Sequence, residues 1–467
     1  MKRWFQAILA VLALGLASCG LFRHRASPYP TGLIFPLVED SSLALPGRIR
    51  GEVRERSGML YFSTSDGFVR CVDGPKKQVA WEFKMEEGQA GPICLGRENL
   101  YLPSENGVMY CLSLQGRLLW KSATGERILT PVAEGGGRVF FGTDKGRLWS
   151  LDLSGNQGWR YEAGSPVGGG PLFLGTQVIC GSDDGRVHIV SLRGNGRAVF
   201  RAPSKILGPM AGGGGLVFFS TEARDFYGLS VARRKAKWKV RLSGQVLVDP
   251  VTSGPRLYVL GTNSVLYCLS RGGGDIVWWA NVPARKCYDL KIIGDDVVVS
   301  TLSPLLLAFD AKTGKKAGEF KSPADLKANA VWVDPFLLIS DYDPKTEAGN
   351  IRYLRKAVRV ALSPLKASPR PVGEEVTFAA SQVGFFKPKF EFFIKQADSR
   401  SVTRPESEKY TWAWYADKVG DFTIGVKVTD DRQSMEAEIP FVIEKAPEKE
   451  PAAPASAKPV KKEKKKK

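Results

Sequence analysis

Val139-Phe140-Phe141-Gly142-Thr143-Asp144-Lys145-Gly146, continued by Arg147-Leu148-Trp149-Ser150-Leu151-Asp152 and closed a few residues later by Trp159, is the stretch whose reading decides the fold. An apolar run ends in a Lys-Gly turn, and a second, alternating run follows it. Glycine supplies the positive φ of a tight hairpin, so the segment reads as two antiparallel strands with a third behind them. The same pattern stands at Leu60-Tyr61-Phe62-Ser63-Thr64-Ser65-Asp66-Gly67 and at Val178-Ile179-Cys180-Gly181-Ser182-Asp183-Asp184-Gly185. Degraded copies lie near residues 99, 216, 256, 296 and 336, which makes eight in all.

Every copy but the last closes on an aromatic residue: Trp81, Trp120, Trp159, Phe200, Trp238, Trp278 or Trp279, and Phe320. A spacing of roughly 40 residues is that of one four-stranded propeller blade. Seen this way the aromatics are structural blade anchors rather than stacking platforms. Pro92, Pro131, Pro171, Pro209 and Pro250 mark a second column. Proline cannot donate to a ladder, so this column is expected where the innermost strand begins. The eighth copy, from about Asn329 to Lys356, lacks a closing strand. Gly32-Leu33-Ile34-Phe35-Pro36-Leu37 is expected to supply it, joining both ends of the domain in one blade and removing open sheet edges. The expectation is an all-β fold with an eight-bladed propeller over 32–356, a seven-bladed ring with an irregular remainder being the competing count.

Ala308-Phe309-Asp310-Ala311-Lys312-Thr313-Gly314-Lys315 and Ser150-Leu151-Asp152-Leu153-Ser154-Gly155 leading to Trp159 resemble the PQQ-type propeller repeat. The first departs from that pattern, with Phe320 standing late in place of the Trp. Two branches of the superfamily matter: the quinone-dependent dehydrogenases, and the outer-membrane assembly lipoprotein BamB with its relatives. The first resemblance implies an adjacent-cysteine ring and a calcium site, yet the chain has no Cys-Cys pair and no Cys-x-x-Cys-His haem motif. The second implies a non-catalytic scaffold that contacts outer-membrane assembly proteins, and it is the one the residues favour.

The first residues fit that branch. Lys2 and Arg3 precede an apolar stretch from Trp4 to Leu16, shorter than the roughly 20 residues of a bilayer span. Residues 1–18 therefore read as a signal peptide, and Leu16-Ala17-Ser18-Cys19 resembles the bacterial lipobox, in which the Cys19 thiol takes up lipid. Several acyl chains anchor stably, since each buried CH₂ adds about 0.8 kcal/mol. Gly20, where Asp would act as a retention signal in the enterobacterial pattern, directs the expectation to the outer membrane, facing the periplasm. Residues 19–31 are then a tether.

The net charge is +19, and Lys445 to Lys467 carries nine Lys against three Glu. The rest of the chain remains basic enough to attract anionic partners. Residues 446–467 are Pro, Ala, Lys and Glu apart from Ser456 and Val460, the composition of a disordered tail. Its cationic end could tether the chain to anionic envelope polymer; nucleic acid is not expected in this compartment.

The chain has two histidines, His24 and His188, and general-base, triad and zinc sites usually recruit that residue. His188 reads as a strand residue. No catalytic, cofactor-binding or metal residue is assigned. The Asp-Gly turns offer one carboxylate each, where calcium takes six to eight oxygens. Cys71, Cys111 and Cys268 share a column with Ser150, Gly228, Ala308 and the larger Ile189. Such a column points to tight packing between blades, and equivalent positions lie beyond the roughly 7 Å reach of a disulfide. Cys94, Cys180 and Cys287 read the same way.

From 357 to 445 the pattern changes to Val360–Leu365, Val372–Phe378, Lys389–Ile394, Tyr410–Trp414, Gly420–Asp430 and Ile439–Ile443. Short alternating strands over this length predict a β-sandwich, and their order resembles bacterial Ig-like modules. Exposed aromatics such as Trp412 or Trp414 could contact glycan, but alternation within a strand puts at least one of them in the core. The expected whole is a monomeric, membrane-anchored scaffold for an outer-membrane assembly protein or another envelope protein. The alternatives are an envelope glycan- or peptidoglycan-binding lipoprotein and, third, a quinone-dependent dehydrogenase.

Overall fold

The computed structural model describes residues 35–446, apart from 87–90, 285, 386, 397–398 and 431–433. The chain divides into two compact units, one ending at Lys356 and the other starting at Ala357. Both are built from strands.

The first unit is a β-propeller. Among the described residues its strands fall into eight groups of antiparallel neighbours, numbered I to VIII in chain order. Group III is typical: Ala133–Gly135, Arg138–Gly142, Arg147–Asp152 and Gln157–Glu162 pair in sequence order. The outer strands of I to VII are Gln78–Lys84, Leu118–Ala123, Gln157–Glu162, Gly196–Arg201, Lys235–Arg241, Ile276–Asn281 and Lys316–Lys321. Groups IV and V touch through one parallel pair, Gly169 with Gly208.

Group VIII takes its outer strand from the other end of the chain. Leu37–Pro46 pairs antiparallel with Ala348–Lys356, from Leu37 opposite Lys356 to Pro46 opposite Ala348. The closing strand thus lies further on than residues 32–37. Only Leu37 belongs to both, because Val38 to Ala44 alternates too weakly to read as a strand. Phe35 has a different use: its side chain lies against Gly318, where a Cβ would meet it at 2.4 Å.

The core is divided in the same rhythm. Each group shares one apolar cluster with the next, as Phe140, Leu148 and Val167 do between III and IV, or Ile293, Leu306 and Leu337 between VII and VIII. One cluster joins Leu338 and Tyr353 of VIII to Ile49 and Leu60 of I, so the succession returns to its start. Asn329 ties the same seam, its Oδ1 accepting from Val53 N at 2.7 Å and its Nδ2 donating to Val53 O at 3.1 Å.

Two details differ from the pattern in the sequence. Pro92, Pro131 and Pro250 precede the short inner strands of II, III and VI. Pro171 and Pro209 instead lie inside longer ones, Val167–Leu174 and Ile206–Gly213, within the interval where the ladder changes register. A residue that cannot donate is tolerated where pairing is already broken.

The second unit packs a three-stranded sheet and a five-stranded sheet on one core, as a β-sandwich does. Trp412 is buried at 8 % exposure and Trp414 packs on the same cluster. The two stand two apart on one strand and therefore share a face, and both pack on the core, in line with the expectation that at least one would. The exposed aromatics of that strand region are Tyr410 and Tyr415. Ser399–Ser407 is an additional strand, paired with Lys389–Gln396, whose polar sequence gave no signal.

Candidate functional site

The aromatics that close the repeats have a common geometry. The indole Nε1 of Trp81 donates to Leu114 O at 3.0 Å, Trp120 to Leu153 O at 2.8 Å, and Trp159 to Leu192 O at 2.9 Å. Trp238 reaches Arg271 O and Trp278 reaches Ala311 O, both at 3.2 Å. Each acceptor lies 33 residues ahead, in the last turn of the following group. A glycine of that turn takes the ring: a Cβ on Gly116, Gly155, Gly194, Gly274 or Gly314 would collide with it. Of the adjacent pair, Trp278 makes this contact and Trp279 faces solvent at 60 % exposure.

Phe200 and Phe320 stand elsewhere. They pair with Val187 and Leu306, two residues short of the column that Trp81 and Trp159 meet at Cys71 and Ser150. Arg234 holds positive φ in group V, at the place where the turns that take an indole have glycine. A hollow of about 280 Å³, lined by Ile189, Gly196, Val199 and Arg234, is left between IV and V. Cys19 and the Lys-rich tail lie outside the described residues.

The buried reactive side chains are tied down. Cys71, Cys111 and Cys180 are pushed up to about 12 by burial, and Cys94 and Cys287 to about 11. None of the six described cysteines is bridged. Thiols at such values are poor nucleophiles at neutral pH. His188, 2 % exposed, has both ring nitrogens engaged, Nδ1 with Tyr161 Oη and Nε2 with Ser182 Oγ, each at 3.0 Å. Ser182 donates to Asp184, so Nε2 carries the proton and Tyr161 donates to Nδ1. Burial pulls His188 down to about 4. Glu126 is likewise committed, to Thr143, Arg147 and Trp149.

A charged set gathers on the inner strands. Asp289 is pushed up to about 7, first by burial and then by Glu52 and Asp249, against Lys291 and Arg54. Lys291 stands 3.7 Å from it, and Arg54 pairs with Glu52 at 2.8 Å. Among the described residues no group of three or more His, Cys, Asp and Glu side chains is arranged to hold a metal.

What remains available is surface. Two adjoining hollows, of about 230 and 790 Å³, share Lys286 and Leu302 and run over groups VI to VIII. The outer strands expose one backbone edge each, and seven of the eight carry charge: Glu39 and Asp40, Glu82 and Lys84, Lys121, Arg160 and Glu162, Arg197 and Arg201, Lys316 and Glu319, and four cations from Lys235 to Arg241. Ile276–Asn281 carries none. In the sequence, Ile276-Val277-Trp278-Trp279-Ala280-Asn281 stands out as uncharged only once the repeats are aligned.

A family model described as outer membrane protein assembly factor BamB matches residues 65–204 and 235–333, just over half of the chain. No curated protein matches. Among solved structures, BamB from Moraxella catarrhalis is similar at a TM-score of 0.58 and 17 % identity, over 68 % of this chain and 100 % of that one. The computationally designed Ika8 protein matches at 0.59 and 14 %, over 68 % and 99 %, and Sqt1 of Saccharomyces cerevisiae at 0.56 and 8 %, over 70 % and 100 %. At these identities the likeness is one of fold.

Proposed function

We propose, for a chain that belongs to the family described as outer membrane protein assembly factor BamB, the role of a non-catalytic, envelope-anchored scaffold that aids outer-membrane protein assembly through protein contacts. The observation that carries this reading is the ring of eight strand groups, taken as an eight-bladed propeller, in which the buried Glu126 and His188 are committed to hydrogen bonds within the fold. Its outer edges and surface hollows are left for partners. Lipid on Cys19 would hold it at the outer membrane, facing the periplasm. The quinone-enzyme alternative loses support from a sequence without adjacent cysteines.

Crosslinking of the intact chain in its own membranes, followed by capture and mass spectrometry, tests the reading. Recovery of an outer-membrane barrel protein or its periplasmic repeats is expected. Recovery of peptidoglycan or polysaccharide fragments alone, lost on deletion of 357–467, would replace it with the envelope-binding reading.

A further inference from the structure

We infer that the outer strand of group VI, Ile276–Asn281, is a docking edge for an extended partner segment that is apolar at alternate positions and carries carboxylates at the end that lies toward Lys286. The strand terminates its sheet, so one row of its N–H and C=O groups has no neighbour within that sheet. Such a row is a template for strand addition, and folds normally guard it with charge. The other seven outer strands follow that rule. This one instead exposes Ile276 at 45 %, Val277 at 50 % and Trp279 at 60 %. Val277 and Trp279 stand two apart and share a face.

Charge selects the occupant. Lys235 and Lys237 on the outer strand of group V, Lys321 on that of group VII, and Lys286 in the hollows have no ion-pair partner among the described residues. Beyond Asn281 the chain runs directly into Pro283 and Ala284, which line the larger hollow. An added strand would therefore run along about 20 Å of uncharged edge from Asp275 at one end to the approach to Lys286 at the other, with the unpaired lysines on the outer strands of the two neighbouring groups. A second copy of this chain would bring the same cations and is disfavoured on that ground.

The inference deepens the scaffold reading and rests on it for the nature of the partner. Its test uses the full chain and a fluorescein-labelled peptide of alternating Val and Thr with two Glu at one end. Saturable binding is expected, weakened about tenfold or more by Val277→Lys or Trp279→Lys and by exchanging the peptide's Glu for Lys. Leu119→Lys, on the guarded outer strand of group II, should leave binding unchanged, and unaltered melting temperatures exclude misfolding. No binding, equal weakening by Leu119→Lys, or a concentration-dependent dimer abolished by Trp279→Lys would each overturn it. A partner captured equally by wild type and Trp279→Lys would sink this edge and leave the scaffold; peptide binding without any captured assembly protein would do the reverse.

Discussion

Gly185 turns the hairpin before Arg186–Ser191 at φ 82°, and a Cβ there would lie 2.5 Å from Ala202 O and 2.8 Å from Ser204 O. Gly185→Ala therefore adds a backbone collision to the left-handed penalty. It should cost about 2 kcal/mol or more in urea unfolding. Arg224 and Ser264 hold the equivalent turns at φ 68° and 61°. Arg224→Gly relieves that strain at some cost in chain entropy, for a gain of roughly 0.5–1 kcal/mol. Two titrations oppose each other at this scale. His188 lies at about 4 in the fold against 6.5 when free, so acidification from 6.5 toward 4 protonates the unfolded chain first and destabilises the fold, by on the order of 2–3 kcal/mol. Asp289 lies at about 7 against 3.8, so the folded chain holds the extra proton and stability falls as pH rises through that window. Asp289→Asn should steepen the acid-side loss, and His188→Asn should leave stability falling from pH 4 to 7. Unfolding free energies measured at intervals of pH for the two variants check both signs.

At the scale of elements, each indole spans two strand groups and fastens an outer strand to the next turn. Trp120→Phe keeps the ring and loses the hydrogen bond to Leu153 O, an expected cost of about 1 kcal/mol. Trp120→Ala also empties the space over Gly155 and should cost roughly 2–4 kcal/mol, read as a fall in melting temperature. The strands and turns were legible in the sequence because a hairpin of period two between glycine turns leaves few alternatives, as at Val139–Asp152. The Trp contacts were legible as a column and not as bonds, since the acceptors are backbone carbonyls. Phe200 and Phe320 misled because an aromatic near the right spacing need not share the register. Ser399–Ser407 and Leu37–Pro46 were obscured by their composition: edge strands keep polar faces, and pairing rather than pattern holds them. The uncharged edge of group VI was equally visible, but its meaning needed the other seven edges beside it.

For the propeller unit as a whole, closure at the seam between VIII and I depends on few groups. Asn329→Ala would leave the buried amide and carbonyl of Val53 without partners 276 residues away, at a cost of roughly 2–4 kcal/mol. A lowered melting temperature, with hydrogen exchange quickened first in Ile49–Arg56 and Phe336–Asp343, would report opening at that seam. The pairing of Leu37–Pro46 with Ala348–Lys356 also sets an order in time. In a chain that emerges N-terminus first, the strand needed to finish the ring appears earliest and its partner some 300 residues later. At about 5–20 residues per second that is a wait of roughly 15–60 s. Glu39, Asp40 and two serines make a strand soluble enough to survive such a delay. The weak patterning that concealed it in the sequence is what lets it wait.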